Sequence, residues 1–268
     1  QALPGEPLNM LELEMLDWIA HLFLKFGHIT FIFPMVILGM IFHKRELYAK
    51  AACFLFFVII WNALLKYMFK IPLPLHLGDG YAFPSGHMHA TAVFYGYILY
   101  KTDNKIIKTL LVVLLGLIGF SLIYCQFHDL FAVLAAVGFA IAEITLYHFL
   151  LLNLESKYIA AVAIFGSLVI MVILSIIYKV EGHVWLAFYA LVGTIFSLTT
   201  INDLKPKLIT QKFLALLMIA FFVFAVYAIF RIINFNKPFL SEIKFMLFPI
   251  IIMGSINISS RFKCRINK

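Results

Sequence analysis

Residues 81–102 read YAFPSGHMHATAVFYGYILYKT: a Pro-Ser-Gly-His tetrad, Pro84 to His87, at the head of a run of membrane-spanning length. The rest of the chain has the same character. Of its 268 residues, 64% are apolar and 13% charged. Apolar runs of spanning length recur throughout, so the expected class is an all-α integral membrane protein. Nine spans are expected, at roughly 27–43, 48–69, 84–102, 105–126, 129–152, 157–178, 184–202, 211–233 and 240–259. Residues 8–25, LNMLELEMLDWIAHLFLK, set Glu12, Glu14 and Asp17 among periodic Leu, Met and Trp, the pattern of an amphipathic helix lying at the interface. No basic, apolar and cleavage-site regions follow one another at the N-terminus, so no signal peptide is expected.

The net charge of +8 reads as topology and not as a nucleic-acid footprint. Alternate loops hold 14 of the 21 basic residues, from Lys44 and Arg45 to Lys268. By the positive-inside rule the C-terminus is cytoplasmic and the N-terminus outside. The matching localisation is a multi-pass protein of a bacterial inner membrane. Cys53, Cys125 and Cys264 are odd in number and read as small core residues, not a disulfide framework.

With that topology Lys66, His87 and His128 emerge at one water-facing surface from three different span ends. Proline suits the first helical position, so Pro84 is expected to open a helix whose free N–H groups and dipole favour an anion. Ser85 adds a hydroxyl, Gly86 lets an anion approach the backbone, and His87 supplies a proton donor. A cation, a nest of N–H groups and two imidazoles are what phosphoryl transfer through a covalent intermediate requires.

These residues resemble the type 2 phosphatidic acid phosphatase superfamily, whose signatures are K-x6-R-P, P-S-G-H and S-R-x5-H-x3-D. Pro84-Ser85-Gly86-His87 matches the second in full. The first falls on KYMFKIPLP, with Lys66 and Pro74 in register and Leu73 where arginine belongs. The third falls on SLIYCQFHDLFA, with Ser121 and His128 in register, Leu122 in place of arginine and Ala132 in place of aspartate. The resemblance covers residues 8–152. It implies a six-helix core that includes the interfacial helix, with about four extra C-terminal transmembrane helices. The corresponding division is 1–26, 27–152 and 153–268. It further implies that His128 attacks phosphorus and becomes a phosphohistidine, that His87 protonates the departing oxygen, and that Lys66, Ser85 and backbone N–H groups hold the phosphoryl oxygens. Lys70, one turn after Lys66, either joins them in place of an arginine or extends to the headgroups.

The departures have a size. Two lost ionic hydrogen bonds, at roughly 1.5–3 kcal/mol each, remove on the order of 10²–10⁴ in transition-state stabilisation. Asp129 is expected to cap the fifth span and not to replace the missing aspartate. His89 reads as a packing or loop-bonding histidine, or as a further anion contact. Glu143 lies too deep to join the outer site and is either functional or bonded to a tyrosine or histidine. His76, His87, His89, His128 and His183 share the outer face without metal-ligand spacing, so no metal and no cofactor are expected. The function expected is a lipid phosphatase or phosphotransferase acting on a phosphorylated lipid at the outer face. The alternative is a non-catalytic relative that binds or transports a lipid or a partner protein.

Overall fold

Apolar sequence in a bilayer has to satisfy its backbone within each segment, and the chain does so with helices throughout. The structure is a computed structural model that describes residues 10–74, 78–202, 204–233 and 238–262. Its helices are α1 (Met10–Phe26), α2 (Ile29–Phe42), α3 (Arg45–Phe69), α4 (Gly86–Lys101), α5 (Lys105–Tyr124) and α6 (Leu130–Asn153). After these come α7 (Ser156–Ile177), α8 (Gly182–Thr200), α9 (Ile209–Ile233), α10 (Pro238–Ser241) and α11 (Lys244–Arg261). Among the described residues no strand occurs, only a single antiparallel bridge between Pro72 and Tyr81. His76 and Cys264 lie outside the described residues.

A helix appears at each of the nine expected spans, but seven, not nine, are long and apolar enough to cross a membrane. Those seven are α3, α5, α6, α7, α8, α9 and the Phe239–Arg261 stretch that contains α11. The count rises to eight if α1 and α2, bent by 50° at Gly27–His28, form one broken span. Alone, the 14 residues of α2 rise about 21 Å, short of the ~30 Å hydrocarbon core. The other exception, α4, has 16 residues and sits between α3, α5 and α6. Surrounded by protein, it carries His89 and Thr91 fully buried where a lipid-facing helix would need hydrocarbon.

The ends of the helices follow from local chemistry. Lys70 closes α3 in the left-handed region (φ 53), its N–H donating to the Lys66 carbonyl, and Pro72 and Pro74 prevent the helix from resuming. Asn104 caps α5 by accepting from Ile106 and Ile107 N–H. At α4 the expectation for Pro84 is corrected. Ser85 Oγ accepts the Met88 N–H at 3.3 Å, so Ser85 is the N-cap, Gly86 is the first helical residue and Pro84 stands outside.

Helices on either side of residue 152 pack into one body: α8 lies along α3, and α11 along α8 and α9. Arg45, buried at the start of α3, donates to the Ile201 and Asn202 carbonyls at 2.9 Å each, and Asn257 on α11 also donates to Asn202 O. This network clamps the C-terminal end of α8 between α3 and α11.

Gly193 on α8 packs directly against the Met246 backbone of α11. A Cβ there would stand 2.1 Å from Met246 O, whereas one at Gly138 on the exposed side of α6 would meet nothing within 4 Å. Gly193→Ala is expected to cost ~1–3 kcal/mol through overpacking. Gly138→Ala is expected to be neutral or to stabilise by up to ~1 kcal/mol through helix propensity. Thermal unfolding of both variants in the same micelles checks the contrast.

Candidate functional site

The expected site residues come from α3, from the cap and first turn of α4, and from the α5–α6 connection. Lys66 is on the last turns of α3, and the residue four positions before it, Asn62, faces the same way. Gly86 lets both approach α4: a Cβ at Gly86 would lie 3.2 Å from Asn62 Oδ1 and 3.8 Å from Lys66 Nζ. The glycine therefore serves first as a helix–helix contact, and that contact delivers the ammonium to the N-terminus of α4. The macrodipole there repels a cation and attracts an anion, so an ammonium beside it completes an anion-binding corner.

His128 is set by the turn that follows α5. The Leu122 carbonyl accepts from both Phe127 and His128 N–H, and Gln126 takes a positive φ of 56 to close the turn. The imidazole rests against the Ala82 backbone and lies within electrostatic reach of Lys66 and His87. Partial burial, reinforced by the Lys66 ammonium and by His87, pushes its pKa down to about 4, with Asp129 and the Ala82 backbone opposing the shift; burial and the neighbouring His28, Lys66 and His183 lower the pKa of His87 as well. His128 is therefore the neutral imidazole at physiological pH, the form a nucleophile requires. Its Nδ1 is buried without a hydrogen-bond partner. That is the nitrogen an orienting carboxylate would hold, and Ala132, in register with the expected aspartate, has none to offer.

Around His128 is a cavity of about 630 Å³ with Leu73, Pro74, Ile123, Phe127 and Leu130 on its walls. Leu73, in register with one expected arginine, is thus part of its apolar lining. Leu122, in register with the other, is 1% exposed and belongs to the core. Lys66 and His87 do not line this cavity. Among the described residues no hydrogen bond joins Lys66, His87 and His128; they share a field, not a direct contact. His87 is exposed at the first turn of α4.

The other expected ligands fall differently. Ser85 is fully buried, its oxygen on Met88 N–H and its own N–H on the Ala132 carbonyl at 3.3 Å. Lys70 is exposed, with its ammonium 4.6 Å from the centre of the Tyr67 ring. Asp129 caps α6, its Oδ1 accepting from Ala132 N–H at 2.6 Å, as its position suggests.

Two features of the site were not assigned to it from the sequence. His28, at the N-cap of α2, and His183, at the start of α8 and 3.1 Å from Glu181, lie within electrostatic reach of His87. Glu181 is likewise within reach of Lys66. The extra C-terminal helices thus bring charge to the same face. Among the described residues no group of three His, Cys, Asp or Glu could hold a metal.

The second feature is a polar line through the helical core. His89 is fully buried, and Glu143 Oε2 accepts its Nε2–H at 3.1 Å, while Oε1, also 3.1 Å from Nε2, is buried without a hydrogen bond of its own. That leaves Nδ1 as the acceptor for the Asn62 amide, at 3.1 Å. Asn62 Oδ1 is then turned toward Gly86. His89 is a buried hydrogen-bonding histidine, and Glu143 is bonded to a histidine, one of the two readings open for each. The line joins α3, α4 and α6 directly beneath Lys66.

Removing one partner of a buried pair leaves the other uncompensated. Glu143→Ala is expected to destabilise by about 3–5 kcal/mol, and Glu143→Gln, which retains an acceptor, by clearly less; unfolding temperatures of the two variants test the order. Titration of ¹⁵N-labelled His128 by NMR is expected to give a midpoint near 4. Because that value lies below an unfolded histidine's ~6.5, its contribution to stability is complete above pH ~6.5 and is lost as pH falls toward the folded value. A midpoint near 6.5 would contradict the burial described.

No protein-family model, no curated protein and no solved structure matches this chain.

Proposed function

We propose that the protein is an integral-membrane phosphatase or phosphotransferase acting on a phosphorylated lipid through a phosphohistidine on His128. The observation that carries the reading is one neutral imidazole beside a cavity, with a second imidazole and an ammonium in its field. In the proposed reaction a His128 nitrogen forms a bond to phosphorus and the bond to the departing oxygen breaks. His87 gives its proton to that oxygen. Water, or another hydroxyl acceptor, then attacks the phosphohistidine; His87 takes the acceptor's proton and the N–P bond breaks. Lys66 and the first-turn N–H groups of α4 stabilise the charge on the equatorial oxygens. The face is outer if the basic loops are cytoplasmic, as their distribution argues.

Charge selects the substrate class. With leucines at 73 and 122 in place of two cations, a dianionic monoester would be poorly neutralised. A weakly charged phosphodiester, or transfer chemistry, fits better.

A non-catalytic lipid-binding relative is the second reading. It is favoured by the unpartnered Nδ1 of His128 and by a cavity that neither Lys66 nor His87 lines. Trapping separates the two. Incubation with ³²P-labelled lipids is expected to leave an acid-labile label on the wild type that His128→Ala abolishes. His87→Ala is expected to slow turnover by roughly 10²–10⁴-fold, the usual worth of a general acid. No label and no turnover across monoester and diester lipids would sink the catalytic reading. Fast hydrolysis of monoesters without diester turnover would sink the substrate preference.

A further inference from the structure

A second cavity, independent of the His128 site, lies among α3, α6, α7 and α8 and measures about 950 Å³. Hollows of several hundred cubic ångströms are the size of ligand sites. Its walls change character along their length. At one end are Arg45, Lys50 and Lys157, the carboxylate Glu46, and Thr200 and Asn202, all near the ends of α3, α7 and α8 opposite the His128 face. Beyond them the lining is hydrocarbon and aromatic: Phe54, Phe57, Trp61, Ala163 and Ile170. From Lys50 to Trp61 the wall runs about 16 Å at 1.5 Å per residue. The cavity is open at the side, because α6 and α7 touch only sparsely, and Leu146 and Phe165, both more than half exposed, flank the gap.

The charges at the mouth decide the occupant. Lys50 pairs with Glu46 at 2.6 Å and Lys157 with Glu155 at 2.8 Å, but both glutamates are more than 60% exposed. The Lys157 pair is exposed on both sides and contributes little, so that ammonium can exchange its carboxylate for a phosphate at small cost; Lys50, only 29% exposed, keeps Glu46 and offers a phosphate its remaining N–H donors. Deeper in, Glu143 Oε2 accepts from His89 while Oε1 has no hydrogen-bond partner, so the wall holds one carboxylate beyond the cations of the mouth. An apolar channel that is reached from the lipid phase and closed at its polar end by cations matches a phospholipid lying parallel to the helices.

We propose that this cleft is a binding site for an anionic phospholipid of the leaflet opposite the His128 face. Its phosphate sits at Lys50 and Lys157 and an acyl chain lies along Phe57, Trp61 and Ala163. The site uses the C-terminal helices α7 and α8 as two of its walls and gives them a role separate from phosphoryl chemistry.

The test uses Trp61 as the reporter. With Trp18 and Trp185 replaced by Phe, the full chain is placed in nanodiscs containing phosphatidylglycerol or phosphatidylcholine with brominated chains. Brominated phosphatidylglycerol is expected to quench Trp61 at about a 10-fold lower mole fraction than phosphatidylcholine, as two cations near an anionic headgroup imply. Lys50→Gln/Lys157→Gln is expected to erase that preference with the unfolding temperature unchanged. Ala163→Phe, which fills the channel, is expected to remove the high-affinity quenching. Equal quenching by the two lipids at every mole fraction would show ordinary boundary lipid and overturn the proposal. So would stronger protection by dodecylammonium that Glu143→Gln abolishes, since the site would then be one for cations. Should Ala163→Phe not fold, the lipid comparison and the lysine variants decide alone.

Discussion

The line from Glu143 through His89 to Asn62 is the contact on which the rest of the architecture depends. Three helices meet there by hydrogen bonds of 3.1 Å between largely buried side chains, so each group is held by the cost of losing its partner. The line sets α4 against α3 closely enough for Gly86 to touch Asn62 and Lys66. Because α4 is surrounded by protein, it can be shorter and more polar than its neighbours, and its N-terminus becomes the floor of the His128 face.

At that face the electrostatics have a definite sense. Lys66, His28, His87, His128 and His183 gather with Glu181 as an opposing carboxylate. The loss of water and the field of Lys66 both keep His128 neutral, and its Nδ1 is without a partner. Leu73, Leu122 and Ala132 stand where the resemblance would have put two arginines and an aspartate. The two cavities divide the molecule's chemistry between its faces. One surrounds an imidazole; the other is an apolar cleft with basic residues at its mouth.

Much of this was legible in the residues. Helix positions followed from apolar runs, since in a bilayer nothing but a helix or a closed barrel satisfies the backbone. The Asp129 cap was legible because an N-cap needs only a carboxylate and an N–H three residues on. Whether α2 and α4 reach across a membrane was not. Their ends depend on a bend at Gly27–His28 and on which residue, Pro84 or Ser85, caps α4. Lys70 could not be assigned between anion and surface until the Tyr67 ring was seen beneath it.

By itself the amino-acid order determined the all-helical membrane class and where the helical runs lie, because each depends on composition or on neighbours within a turn. Only the tertiary structure decided which polar groups meet. Asn62, His89 and Glu143 are separated by tens of residues, and His183 and Glu181 lie beyond the region that carries the motifs. Their encounters depend on how helices cross and on which glycines let backbones touch, as Gly86 does for α3 and α4 and Gly193 for α8 and α11. Those crossings result from packing the whole body at once, and no short stretch of sequence contains them.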